Sequence, residues 1–322
     1  MDFSVVIPSR NRPVLLREAL QSALAQTHPS FEVVVVNDGS DGDNQAAYAR
    51  LAEEFEPRVH FVNLEHTQHG HGPSYAINRG VESAQGQYVC FLDDDDYWTD
   101  TEHLARAWHA LSTTESDVYY TNQAAYHGEE RVPGPLWLEG LDEIISRHDS
   151  ADENGVYTAT LADLMAVRGF AHLNTSVVRR SLYLDLGGMD ENIRYECEWD
   201  LFLRIIEAAN GIRFYPGITS HHNAPDPTRS ANVSTAVNML QKLLFRSYLL
   251  DKAVLFSKST EIIAKAQHHK TYTLKKITEL LSEDGDYPQA YFYARQARGS
   301  GWDIKWILYS FYLGWRALTA KV

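Results

Sequence analysis

The sequence predicts an α/β protein: a mostly parallel, doubly wound sheet flanked by helices, followed by an all-helical C-terminal extension. Three observations predict it. Residues 4–8, 31–36 and 88–92 are apolar runs without polar alternation, the pattern of strands buried on both faces. Between them stand segments whose apolar residues recur at helical spacing, and strand–helix alternation favours right-handed crossovers and a parallel sheet. From about Val233 onward, strand signals give way to long helical patterns.

The elements follow in order. Residues 4–8 (SVVIP) form the first strand, and the polar turn from Pro8 to Pro13 ends it. Leu15, Leu16, Ala19, Leu20, Ala23 and Leu24 then mark a helix. Residues 31–36 form the second strand, which runs into the turn formers Asn37, Asp38, Gly39 and Ser40. Tyr48, Leu51 and Phe55 indicate a helix, residues 59–64 a third strand, and residues 65–73 a loop rich in His and Gly. A helix over 74–84 leads to the strand 88–92. Beyond it the pattern predicts a helix over 99–111, a strand over 117–121, a surface excursion over 128–140 and a helix over 158–167. A short strand over 174–179 precedes a tight turn at Gly187-Gly188. A helix over 198–209 buries Leu201, Phe202, Ile205 and Ile206, and residues 212–215 add a strand. Residues 220–230 hold too many turn formers to be regular. Four further helices are expected around 240–249, 262–281, 286–297 and 302–318. The last is mostly apolar and aromatic. It reads as a core or dimer helix, or as an interfacial helix on a membrane, its Trp and Tyr rings close to Lys305 and Arg316.

Composition narrows the class. Hydrophobic residues make up 44% and aromatics 11% of 322 residues, as in a globular protein with a full core. A formal charge of −14 offers no bulk basic surface, so nucleic acid is not an expected partner. Cys90 and Cys197 make no disulfide framework and suit a reducing cytoplasm. No leader pattern opens the sequence, and no apolar run reaches the length of about 18 residues that a spanning helix needs.

The stretch YVCFLDDDDYW, residues 88–98, carries the chemistry. A buried strand ends in four consecutive carboxylates, Asp93, Asp94, Asp95 and Asp96. Four acids in a row repel one another unless a cation sits among them. Hard carboxylate oxygens suit Mg²⁺ or Mn²⁺, and a divalent ion carrying a phosphate is the expected solution. The position agrees, because ligands of open α/β sheets bind beyond the carboxyl ends of the strands.

Four segments in order resemble the nucleotide-sugar glycosyltransferases of family 2. They are IPSRNRPVLLREALQSALAQ, VVVVNDGSD, GPSYAINRGVESAQGQYVCFLDDDDYW and GGMDENIRYECEWDLFLRI. The resemblance covers roughly residues 1–230 and implies the GT-A fold, Rossmann-like in character. It also implies an inverting transfer of sugar from a nucleoside diphosphate donor, uridine diphosphate above all, to an acceptor hydroxyl. The acceptor implied is a glycan or lipid-linked glycan, as in surface polysaccharide synthesis. Residues 1–98 are then the nucleotide-sugar half, 99–230 the acceptor half, and 231–322 a C-terminal helical region.

The resemblance also assigns roles. Pro8, Ser9 and Arg10 fall where the base lies, with Arg10 in place of the family's aromatic; a guanidinium plane can stack on a base as well. Asp38 matches the acid that holds base or ribose. Asn78 lies in a segment reading Ala76-Ile77-Asn78 that lacks the family's phosphate-side arginine, a charge that Arg12 or Arg79 would supply. Asp93, Asp94 and Asp95 match the D-x-D signature, with Asp93 and Asp94 at the nucleotide, Asp95 on the metal and Asp96 as its close helper. Glu198 falls at the base that deprotonates the acceptor, beside Asp200, with Glu196 in reserve. His221 or His222 would reach the metal or diphosphate from a loop covering the donor. Trp98, Trp137 and Trp199 are candidate sugar platforms. Two other readings stay open: a sugar-nucleotide pyrophosphorylase, although SRNRPVLL lacks its Gly-rich phosphate loop, and a catalytically silent nucleotide-binding scaffold. A homo-oligomer, or contact with the inner membrane face through the C-terminal helices, is also consistent with this pattern.

Overall fold

The apolar runs form strands where the pattern predicts them: β1 (Phe3–Ser9), β2 (Phe31–Asn37), β3 (Val59–Asn63) and β4 (Tyr88–Phe91). The computed structural model describes residues 1–134, 136–224, 237–298 and 303–319. Its chain divides into two compact units. One is Met1–Asn192 with Leu201–Asp226, and the other Ile193–Asp200 with Pro227–Val322.

In the first unit, β1 pairs in parallel with both β2 and β4, setting Phe3 opposite Phe31 and Tyr88. Val5, Ile7, Val33, Val35, Cys90 and Leu92 are almost fully buried in its core. Both faces of these strands are covered, so the alternation that marks a half-exposed strand is absent from the sequence. Helices α1 (Pro13–Leu24), α2 (Gly42–Phe55) and α3 (Pro73–Ser83) make the crossovers, and α4 (His103–Ser112), α5 (Leu141–Ile145), α6 (Leu161–Ala166), α7 (Arg180–Asp185) and α8 (Cys197–Ala208) follow. Pro13 and Pro73 open two of the crossover helices, where a missing N–H costs nothing, and Asp41 caps the third by accepting from Asn44 N at 3.2 Å.

The sheet continues through β5 (Tyr97–Trp98), β6 (Val118–His127), β9 (Ser176–Arg179) and β10 (Ile212–Asn223), in the order β3-β2-β1-β4-β9-β6-β10-β5. Strand β9 runs antiparallel to both neighbours, β4 and β6, so the sheet is mixed. Two short strands lie off this path: β7 (Glu130–Arg131) on β6 and β8 (Tyr157–Ala159) on β10.

Three segments differ from expectation. Residues 158–167 open as strand β8 and turn helical only at Leu161, because Thr160 and Asp163 close a capping box there. The excursion over 128–140 carries β7, and β6 extends to His127. Strand β10 continues through Asn223, since β6 satisfies its backbone whatever its turn-forming residues prefer; residues 225–230 lie outside the described residues.

The second unit is helical among its described residues: α9 (Met239–Phe256), α10 (Thr260–Glu283), α11 (Tyr287–Gln296) and α12 (Ile304–Thr319). Asn238, Ser259 and Asp286 cap the first three. Leu274, Ile277, Ala290, Ala294, Trp306 and Leu313 form its core, and Trp306 Nε1 donates to Ala294 O at 3.0 Å. Trp302 and the expected boundary at 230/231 lie outside the described residues. No helix among the described residues is long and apolar enough to cross a membrane.

His103, 1% exposed and edge-on to Trp98 at 4.9 Å, has no partner for Nδ1 among the described residues. Burial lowers its pKa from 6.5 to about 4. The folded state therefore disfavours the charged ring that the unfolded chain accepts below 6.5. Stability on its account is complete above that pH and lost as pH falls towards 4, by about 2 kcal/mol at pH ~5. His103→Phe should remove this component, so the difference in unfolding free energy between about pH 7.5 and 5 shrinks in urea titrations.

Candidate functional site

Because β2, β1 and β4 are adjacent and parallel, their carboxyl ends share one edge of the sheet. Asp38 follows β2, Ser9 closes β1, and Asp93–Asp96 follow β4. The Asp38 amide donates to Ser9 O at 2.9 Å, and Ser9 Oγ donates to Asp94 Oδ2 at 2.6 Å, which ties the three strand ends together.

The four aspartates do not share one environment. Asp93, Asp95 and Asp96 bring carboxylate oxygens within 4.8 Å of one another. Asp94 turns away from this group, buried under β1. Besides Ser9 it meets Arg12 Nη1 at 3.3 Å, and the same nitrogen reaches Asp95 Oδ2 at 2.9 Å. Burial raises the pKa of Asp94 to about 7, against the pull of Arg12 and with a push from Asp95. Burial, then Asp96, raises that of Asp95. Burial works against the charge of Arg12, yet Asp94 and Asp95 outweigh it and hold its pKa above the ordinary value. Arg12, one of the two arginines expected to supply a phosphate-side charge, thus pairs with two acids of this turn. Arg79 instead pairs with Glu82 on α3 and stacks over Tyr75.

Asp96, 1% exposed, is held by three donors. Asn174 Nδ2 donates to it at 2.5 Å, His222 Nδ1 at 2.7 Å and the Asn223 amide at 2.7 Å. Asn174 also accepts from the Asp93 amide at 2.9 Å, so one side chain grips both ends of the turn. Asn223 Nδ2 donates to Asp95 O. His172 Nε2 lies 3.9 Å from Asp93 Oδ2; burial, then His222, lowers its pKa to about 3. Neither His172, Asn174 nor Asn223 stood out in the sequence. They enter from the segment before β9 and from the end of β10, which no local pattern links to the acids.

Several expected residues have other partners. Asp38 accepts from the amides of His71 (2.9 Å) and Gly72 (3.0 Å) and meets His71 Nδ1 at 2.7 Å, pinning the His-Gly loop. Arg10 donates to Thr67 O and Gln68 O of the same loop. Gly70, at φ +69°, is required between them, since a β-carbon there would lie 2.6 Å from Asp38 Oδ2. Pro8 sits inside the ladder of β1, opposite Val36. Asn78 is not oriented to a ligand. Its amide donates to Met189 O and Glu191 Oε1 and accepts from Met189 N and Tyr183 Oη, which uses its full hydrogen-bonding capacity to hold the Gly-Gly turn. Trp98, 5% exposed, is a core residue whose Nε1 donates to Asn174 O, so it offers no open face for a sugar. His221 and His222 lie on β10 rather than a loop, and strand alternation sends them to opposite faces. His222 reaches Asp96, while His221 is stacked between Tyr97 (4.5 Å) and Tyr126 (4.2 Å), away from the acids. Trp137 is edge-on to His172 and His222.

The second acidic cluster belongs to the helical unit. Glu196, at φ +56°, forms a two-pronged ion pair with Arg246. Asp200, 4% exposed, pairs with Lys252 Nζ at 3.0 Å. Trp199, 7% exposed, is edge-on to His269. Glu198 is half-buried in the first turn of α8 (Cys197–Ala208).

The sequence matches the family model Glycosyl transferase family 2 over residues 4–180. The chain belongs to this family. It is 30% identical over 198 residues to the succinoglycan biosynthesis protein ExoW of Rhizobium meliloti, covering 60% of this chain and 58% of that protein. It is 38% identical over 95 residues to the putative teichuronic acid biosynthesis glycosyltransferase TuaG of Bacillus subtilis, 30% of this chain and 36% of that one. The match thus spans little more than half of one relative and about a third of the other. Its fold is similar to that of S. aureus TarS 1-349 in complex with UDP-GlcNAc, at TM-score 0.66 and 20% identity, over 92% of this chain and 81% of that one. The mannosyltransferase PcManGT from Pyrobaculum calidifontis, in complex with GDP-Man and Mn2+, aligns at TM-score 0.57 and 19% identity, over 93% and 75%. The fold is therefore GT-A.

Family 2 members of this fold commonly use a divalent metal, and the residues present fit one. Asp93, Asp95 and Asp96 make an all-oxygen donor set of the kind that Mg²⁺ and Mn²⁺ prefer. Asn174 holds two of these three residues in place. Asn174→Ala should weaken Mn²⁺ binding by about 10- to 100-fold, read by electron paramagnetic resonance titration of free Mn²⁺. Unchanged affinity would mean that the turn is held without it.

Proposed function

We propose that this chain transfers a sugar from a nucleoside diphosphate donor to a hydroxyl of a glycan or lipid-linked acceptor, with inversion, in surface polysaccharide synthesis. The observation that carries the reading is the three-carboxylate group at the end of β4, with Arg12 among the acids and Ser9 and Asp38 on the neighbouring strand ends. Family membership and the functions named for its relatives support it. So does the GalNAc(5)-diNAcBac-PP-undecaprenol beta-1,3-glucosyltransferase of Campylobacter jejuni, 36% identical over 94 residues, whose name specifies a lipid-linked acceptor. The UDP-GlcNAc of the TarS complex favours a uridine nucleotide. The site of action we assign is the cytoplasm, at the inner face of the membrane.

The division of labour follows from the side chains. A divalent ion held by Asp93, Asp95 and Asp96 would supply positive charge for the diphosphate as it departs. Arg12 keeps Asp95 in place and adds a fixed charge to the same edge. Ser9, Arg10 and Asp38 frame the nucleoside end, Arg10 and Asp38 also holding the loop over 67–72. Glu198 takes the proton of the acceptor hydroxyl as its oxygen bonds to the anomeric carbon. Asp200 and Glu196 hold the helical unit together through Lys252 and Arg246 rather than sharing this task.

Three outcomes test this. Release of uridine diphosphate from a panel of UDP-sugars should require Mn²⁺ or Mg²⁺ and cease with a chelator; absence of turnover with every donor and acceptor would indicate a silent scaffold. Glu198→Gln should lower turnover by at least ~100-fold with donor affinity unchanged by calorimetry, and full activity would move the base elsewhere. Asp200→Asn should instead lower unfolding stability by about 1–3 kcal/mol, because it removes the charged acceptor that Lys252 Nζ meets at 3.0 Å.

A further inference from the structure

Helix α12 buries one side and leaves the other bare. Trp306, Ser310 and Leu313 pack into the core of the helical unit. Ile304, Leu308, Phe311, Trp315 and Leu318 are each more than 60% exposed. At about 100° per residue these five fall within an arc of about 80°, diametrically opposite the buried three. Lys305 and Arg316 flank the stripe on one edge, beside Tyr312. A hollow of about 300 Å³ shares Phe311 with the stripe and is lined also by Tyr272, Lys275 and Arg298.

Charge is divided unequally along the chain. Residues 1–236 carry 16 Lys and Arg against 36 Asp and Glu, a formal −20. Residues 237–322 carry 13 against 7, a formal +6. Exposed large apolar side chains are divided in the same way. Among the described residues Met1, Val14, Leu15, Leu184 and Ile218 belong to the first unit, and the rest to the second. Among the described residues the first unit thus exposes fewer large apolar side chains than the second. A second copy meeting the stripe with its own residues 237–322 would place +6 against +6.

We infer that α12 is a membrane-docking helix that lies in the headgroup region of an anionic bilayer, its apolar stripe inserted and its basic edge among the phosphates. Trp315, Tyr312 and Phe311 are the side-chain types that partition to that depth, and a Lys or Arg near such a surface strengthens binding by about fivefold each. An anionic surface would attract residues 237–322, at +6, and repel residues 1–236, at −20. This inference requires no sugar donor and stands apart from the reaction proposed above.

The test is co-sedimentation of the full chain with vesicles of phosphatidylcholine alone and with roughly one third phosphatidylglycerol. The anionic vesicles should bind at least ~10-fold more strongly, and salt at about 0.5 M should remove most of that advantage. Leu308→Glu and Phe311→Glu should each lower binding about 10-fold with the circular dichroism spectrum unchanged, since both positions are exposed. Lys305→Glu should lower binding to the anionic vesicles alone. Absence of binding, or equal binding by the Glu variants, overturns the inference. A dimer in sedimentation velocity that Phe311→Glu dissociates, without vesicle binding, overturns it too and assigns the stripe to a second copy.

Discussion

Four carboxylates in consecutive positions at the end of a buried strand repel one another strongly, and the polar contacts around that strand end answer the repulsion. Asp94 is withdrawn beneath β1, where Ser9 and Arg12 hold it and burial raises its pKa to about 7. Asp96 is enclosed by Asn174, His222 and the Asn223 amide. Asp93 and Asp95 remain half-buried at the edge, with Asp95 against Arg12. Identical residues thus acquire different electrostatic roles purely through their surroundings. Three carboxylates converge while the fourth is held apart from the group.

The same economy governs the strand ends beside them. Asp38 and Arg10 direct hydrogen bonds to the loop over 67–72, so this end of the edge has a wall fixed by charge-assisted contacts. Asn78 does comparable work further back, where Gly188 at φ +66° lets the turn approach its amide. These side chains act as struts. A reading that assigns every conspicuous polar residue to a ligand overlooks how many buried polar groups are needed to hold loops at a strand edge.

Much of the fold was legible because its physics is local. Apolar runs without alternation locate β1 to β4, and helical spacing locates the crossovers. The Asp-rich strand end and the ordered motifs identify both the edge and the family. Failures came where a distant partner overrides local preference. Tyr157–Ala159 becomes a strand through β10, and β10 keeps His221, His222 and Asn223 extended through β6, although their neighbourhood is rich in turn formers. A strand also separates adjacent residues onto opposite faces, which is why only His222 reaches the acids.

What the sequence by itself determined is the order of strands and helices and the acidic edge, since period, apolar content and runs of like charge are properties of neighbouring residues. Only the tertiary structure decided which aspartate is withdrawn, that Asn174 and Asn223 steady the others, and that Glu196 and Asp200 belong to ion pairs of the helical unit. The physical reason is sequence distance. Asn174 meets Asp96 across 78 residues and Asn223 meets Asp96 across 127, and such contacts exist only after the sheet has brought β4, β9 and β10 to one edge.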